Sequence, residues 1–174
     1  MSTKEQKVIW GGNVWLKDQN LALSCAKFKL PDLSRAMEDI NASGSYFGLQ
    51  VPREIEAMTA TVTLNGPDSR VRIKFGREPG DWSELYYYER IKEIVAGVEI
   101  GRVVYLKGLF TKVEQPEVTQ NKASGQTVAT MTTIVHYHDR ENGKTIHKFD
   151  YFNNTVVVDG VDLTATHNQL IAWS

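Results

Sequence analysis

Residues Thr127–Leu163 read TVATMTTIVHYHDRENGKTIHKFDYFNNTVVVDGVDL, and this stretch decides the fold. Two long runs rich in β-branched and aromatic residues meet at Asn142-Gly143. That dipeptide readily supplies the positive φ that both central positions of a type I′ turn require, so the pattern predicts a tight antiparallel hairpin. A two-residue turn pairs Glu141 with Lys144, and therefore His138 with His147. Strand period two would then place His136, His138 and His147 on one face with Ile134 and Phe149. Three imidazoles so placed could hold zinc or iron with an open position. No acid is placed as a further ligand or general base, however, and histidine is tolerated on half-exposed strands. The reading adopted is therefore no metal and no cofactor. The return strand continues into a second β-branched run and Val158-Asp159-Gly160-Val161-Asp162.

Upstream, Ile55 to Leu64 alternates cleanly. Met58, Ala60, Val62 and Leu64 point one way, and Thr59, Thr61 and Thr63 point the other, which predicts a half-buried strand with a threonine face. Pro67-Asp68 can open a short helix ending at Gly76, although Val71, Ile73 and Phe75 alternate as a strand would. Val103 to Val113 reads as a strand interrupted by Gly108, the mark of a bulge or bend. Val14-Trp15-Leu16 opens the first strand after a polar arm (residues 1–10). Lys17 to Asn20 is a turn, and Leu21 to Leu30 is a strand stopped by Pro31. Leu33 to Ala42 fits a helical period through Leu33, Met37 and Ile40, and Trp82 to Glu93 is ambiguous. Pro116 to Gln126 is a polar loop. Eight or nine strands with one or two short helices predict a mainly β antiparallel sandwich or barrel in a single domain, 1–174.

At 174 residues the chain can build one substantial core. A formal net charge of −1 with mixed signs argues against a dedicated nucleic-acid binder, and the run Arg70 to Lys74 reads as a solvated face. The one cysteine, Cys25, excludes an internal disulfide and reads as a small apolar residue. No apolar run approaches the ~20 residues that span a bilayer, so no membrane insertion is expected, and folding in a reducing cytoplasm is. Phosphate-binding loops, nucleophile elbows, C-x-x-C and H-E-x-x-H are absent. Glu54 with Glu56, or Asp159 with Asp162, can be paired on paper, but Glu54 and Glu56 sit at a strand start, where solvated charges are normal. The tyrosines at 86–88 could form a sugar platform, but such residues more often fill a core or a subunit interface. No enzyme is predicted.

An ordered series of short motifs then carries a resemblance. It includes Asn13-Val14-Trp15-Leu16, Phe28-Lys29-Leu30-Pro31-Asp32-Leu33 and Glu38 before a Gly-containing loop. Ile55 to Ala60, Leu64-Asn65-Gly66, Phe75-Gly76 and Leu106-Lys107-Gly108-Leu109-Phe110-Thr111-Lys112-Val113-Glu114 follow. Asn142-Gly143, Phe149-Asp150, Asn153 and Val158 to Asp162 complete it. From about Asn13 to Leu170 the chain resembles the major tail tube protein of contractile-tailed bacteriophages and related phage-tail-like bacteriocins. Two stretches depart from that pattern: Glu78 to Val98 is long and aromatic, and the end is Ile171-Ala172-Trp173-Ser174.

The resemblance implies a tail-tube type sandwich with one short α-helix, forming stacked hexameric rings that make a hollow inner tube. A sheath protein would surround it, a tape-measure protein and then phage DNA would occupy it, and baseplate and tail terminator proteins would end it. Its place would be the tail of a virion assembled in the bacterial host cytoplasm. Such a subunit must turn exposed strand edges and loops into contacts with its own copies. The segment 43–54 is the expected inter-subunit loop, with Tyr46, Phe47 and Leu49 as its contact residues. A wettable wall that does not grip DNA suits threonine-faced strands, so Thr59, Thr61, Thr63, Lys107, Thr130 and Thr132 are the expected lumen residues. The alternatives are the tube of a secretion or tailocin injection machine, a cupin-like metal-dependent enzyme using the three histidines, and a carbohydrate-binding module.

Overall fold

A computed structural model describes residues 5–118, 120 and 125–173. In chain order, β1 (Lys7–Leu16) turns at Lys17-Asp18 into the two-residue β2 (Gln19–Asn20), and β3 (Cys25–Lys29) follows. Then come β4 (Arg35–Ile40), β5 (Leu49–Ile55), β6 (Ala60–Asn65) and the one-turn helix α1 (Ser69–Arg72). The second half contains β7 (Ser83–Glu93), β8 (Glu99–Glu114), β9 (Gln126–Glu141), β10 (Lys144–Asp150), β11 (Thr155–Val158), β12 (Val161–Asp162) and α2 (Ala165–Leu170). Every ladder between these strands is antiparallel, as expected of the fold class.

The main sheet runs β12-β11-β10-β9-β8-β7-β1-β2, and β6 with β3 attaches to β9 from the side. β9 is therefore shared: its first half pairs with β6 (Ala60↔Met131), and its second half pairs with β10 (Phe149↔Tyr137). Two register shifts between β8 and β9, at Lys107/Leu109 and Phe110/Lys112, bend the long hairpin so that the sheet closes over itself. One core results, joining Val14, Leu16, Leu85, Val104, Leu106 and Tyr137 from one layer to Val62, Leu64, Ala129 and Met131 from the other. Phe28 of β3 meets Tyr87 of β7 across that core, ring centroids 5.0 Å apart.

Gly108 sits at the bend, as its place in the sequence predicted. A Cβ there would lie 2.8 Å from the Thr132 carbonyl oxygen and 3.2 Å from Ile134 Cα, both backbone atoms that cannot swing aside. Opposite it, Thr133 takes a positive φ of 49°. Gly108→Val is expected to cost about 1–3 kcal/mol, the usual penalty for overpacking, read as a lower urea midpoint.

Local chemistry explains the elements that sequence periodicity left open. Helix α1 forms because Asp68 caps it, its Oδ1 accepting from the Arg70 N–H at 2.9 Å, and Val71 is fully buried beneath it. The helix ends at Arg72, short of the expected stop at Gly76, because Phe75 already bridges to Phe110; Gly76 follows at φ 79°. Residues 35–40 are strand and not helix, because β4 pairs with β5 from Arg35↔Ile55 to Ile40↔Leu49. Of the expected arm 1–10, residues 7–10 are strand, since β1 pairs with β7 from Lys7↔Glu93 onward; 1–4 lie outside the described residues. Polar Lys7 and the pair Gly11-Gly12 hide that strand from pattern reading. A second helix, α2, falls within the one or two that the pattern allows and adds to the single one that the resemblance implies. Asn168 anchors it, accepting from Asn154 Nδ2 at 2.7 Å and donating to the Asn154 carbonyl at 2.9 Å. In the expected loop 116–126, residues 119 and 121–124 lie outside the described residues, as does Ser174 at the end.

Candidate functional site

Among the described residues β4 and β5 pair only with each other, as a two-stranded sheet apart from the main one. Five of the six β4 residues and five of the seven β5 residues are exposed, and neither strand has a buried one. The expected loop 43–54 is thus a turn over 41–48 followed by most of strand β5. The turn is shaped locally: Ser45 N–H donates to the Ala42 carbonyl at 3.1 Å, and Phe47 N–H donates to Ser45 Oγ at 3.2 Å. Its aromatic residues point away from the protein, with Tyr46 at 101% exposure, Phe47 at 85% and Leu49 at 63%. An isolated two-stranded hairpin is marginal in water, and three adjacent exposed apolar side chains are an unusual surface for a monomer.

The threonines gather on one face. Thr61 pairs with Thr130, and Thr63 lies two residues along β6, while their neighbours Ala60, Val62, Leu64, Ala129 and Met131 turn into the core. Thr132 shares this outer side and hydrogen-bonds Thr111, Oγ1 to Oγ1, at 2.8 Å. Thr59 is exposed just before β6. Lys107 is not part of this group. It lies beyond the Gly108 bend, opposite His136.

The three-histidine face does not exist. β10 shifts register between Thr145 and His147, so His147 pairs with Asp139 and Lys148 takes the place opposite His138. His147 therefore turns to the core side, where it packs on Phe149 with centroids 5.7 Å apart. His136 and His138 stay on the other side, His136 Nδ1 lying 3.3 Å from Asp150 Oδ2 and His138 Nε2 3.0 Å from Thr145 Oγ1. A bulge at Ile146 is the physical reason, and the turn residues carry no sign of it.

Burial lowers the pKa of His136, with Lys148 and Lys107 adding to it and Asp150 opposing; burial likewise lowers His138, aided by Arg140, Lys148 and His136. A histidine held below its ordinary value is neutral in the folded state. Its contribution to stability is complete above pH 6.5 and is lost as pH falls through the folded pKa. Acidification from pH 7 to 5 is therefore expected to lower the thermal midpoint, and a His136→Asn, His138→Asn double variant is expected to lose part of that slope.

A buried ionic network also escaped sequence reading. Arg102 of β8 grips Asp139 of β9 through two bonds, Nε to Oδ1 at 2.9 Å and Nη2 to Oδ2 at 2.7 Å. Its Nη1 reaches Glu89 Oε2 of β7 at 3.2 Å. Tyr87 and Tyr137 donate to Glu89 and Asp139 at 3.3 and 3.5 Å. Burial and the adjacent carboxylates push both phenols up to about 12, so they remain donors. Such a network holds three strands in one register.

A family model described as phage tail tube protein FII matches residues 6–171. The chain belongs to that family. As a tail tube protein it is structural and non-enzymatic. Comparison with curated proteins by sequence gives no match. Among solved structures, this tube protein is similar to a chain of the sheath-tube complex, in the extended state, of the PVC extracellular contractile injection system. The TM-score is 0.57 at 9% identity, covering 75% of this chain and 88% of the other. It is also similar to a chain of the tube terminating cap of the anti-feeding prophage, with TM-score 0.55 at 12% identity, covering 80% and 94%. At such identities the likeness is one of fold. No helix among the described residues of the tube protein is long and apolar enough to cross a membrane.

Proposed function

We propose that this chain is the inner-tube subunit of a contractile phage tail, forming six-membered rings that stack into a hollow tube through which the genome passes. It acts as a single tube domain. The observation that carries the assembly reading is the β4–β5 ribbon, which leaves Tyr46, Phe47 and Leu49 in solvent and has no cover from the described residues of its own subunit. A second copy supplies that cover. The threonine face of Thr59, Thr61, Thr63, Thr130 and Thr132, with Lys107 beyond the bend, lines the lumen: neutral hydroxyls wet the wall without holding phosphate. A sheath protein encloses the tube, the tape-measure protein and then DNA fill it, and baseplate and terminator proteins close its ends. Similarity in fold to chains from a sheath-tube complex and a tube cap supports the sheath and terminator among these partners. The tube belongs to a virion assembled in the host cytoplasm.

Negative-stain electron microscopy of the concentrated protein tests the reading. Six-fold rings and tubes are expected, and a protein that stays monomeric at every concentration, with a sheath or baseplate partner also present, overturns it. Capsid genes beside this one are expected for a phage, and their absence points to a tailocin or secretion machine. For the lumen, Thr61→Cys and Thr130→Cys are expected to react with a bulky thiol reagent far more slowly in tubes than in monomers.

A further inference from the structure

The fold leaves a trough on the outer side of β1, β7 and β8, about 490 Å³ in volume, lined by Gly11, Asn13, Tyr88, Arg90, Gly101 and Val103. Register explains its shape. Gly11, Arg90 and Gly101 stand side by side on the three strands, and the next row on that side is Asn13, Tyr88 and Val103. Two missing side chains flank Arg90, which is itself held by Glu99.

The fold does not need those glycines for space. A Cβ on Gly11 would meet nothing within 4 Å, and one on Gly101 would meet only Asn142 Oδ1 at 3.9 Å, an ordinary contact. Neither has a left-handed φ. Gly11 borders a register shift in β1, but Gly101 lies in unbroken pairing with β7. Glycine inside a strand weakens it, and one that is neither at a bulge nor crowded from within marks close approach from outside.

We propose that this trough receives the arm tip of a second copy, Tyr46 and Phe47 seating between Gly11 and Gly101 of the neighbouring subunit. The tip supplies what the trough lacks. An aromatic ring fills the space above the glycines and stacks on the Arg90 guanidinium. Tip and trough are different surfaces of one chain, so the contact is heterologous. It propagates from copy to copy until a ring closes or a stack is ended. The contact rests on the tube reading above and names the surfaces that make it.

Gly101→Leu tests it with little risk to the fold, since the new side chain enters open space. The expected result is loss of rings and tubes with the monomer's thermal midpoint unchanged or raised. A second measurement uses Tyr46→Cys with Gly101→Cys in a Cys25→Ser background. Oxidation of assembled material is expected to give a ladder of disulfide-linked oligomers, and each single cysteine none. Normal tubes from Gly101→Leu, or tubes of the double-cysteine protein that give no ladder, overturn the contact alone. A wild-type protein that never assembles overturns the tube reading and the contact with it.

Discussion

Arg102→Met is expected to destabilise the folded subunit by about 3–5 kcal/mol, the range found when one member of a buried ion pair is removed. The side chains of Glu89 and Asp139 are only 4% and 6% exposed, so without the guanidinium two carboxylates would face each other away from water. Arg102 itself is 23% exposed and carries three hydrogen bonds to them, two of these to Asp139. Among the described residues, the other side-chain donors to these carboxylates are the hydroxyls of Tyr87 and Tyr137. For a domain of this size each kcal/mol moves the midpoint by roughly 2–4 °C, so a fall of about 6–20 °C is expected by differential scanning calorimetry. Glu89→Gln is the control. It keeps the bidentate Arg102–Asp139 pair and is expected to cost far less. Equal losses in the two variants would show that the network does not act through Asp139.

Tyr46→Ser with Phe47→Ser is expected to abolish assembly while leaving the monomer as stable as before. Both side chains are fully or nearly fully exposed in the isolated subunit, so their removal deletes no core contact, and surface changes of that kind usually stay within about 0.5 kcal/mol. In an interface the same residues act as aromatic anchors, for which truncation costs about 2 kcal/mol each. Two such losses total about 4 kcal/mol, and at 1.4 kcal/mol per decade the critical concentration for polymerisation rises roughly a thousandfold. Sedimentation of concentrated protein reads this directly. A critical concentration unchanged in the double variant would remove the arm from the interface.

The turn at Asn142-Gly143 was legible because its conformation depends on two residues alone, and both take positive φ, 47° and 80°. The alternation of Ala60, Val62 and Leu64 with Thr61 and Thr63 was legible because a sheet with one buried face imposes period two. Gly108 announced its bend because only hydrogen fits beneath Thr132. The bulge at Ile146 was not legible: a register shift is set by how two ladders share β9, and no residue type at 145–147 records it. That one shift separated His147 from the other two histidines. The start of β1 was hidden by glycines, which read as loop where the strand has an open side. The trough joins positions 11, 90 and 101 through pairing of three strands, so each glycine looked idle until the register placed it beside the others.

The bent hairpin of β8 and β9 has a mechanical consequence. Each strand is 16 residues, roughly 50 Å of extended chain, and each passes through both layers of the subunit. A force applied along them loads many ladder hydrogen bonds in parallel, as shear, whereas a force across a short edge strand opens bonds one at a time. The subunit should therefore be stiff along these two strands and compliant at its rims, where β2 and β12 are two residues each. A wall built of such units would resist load directed along these two strands and yield first at the rims of each unit.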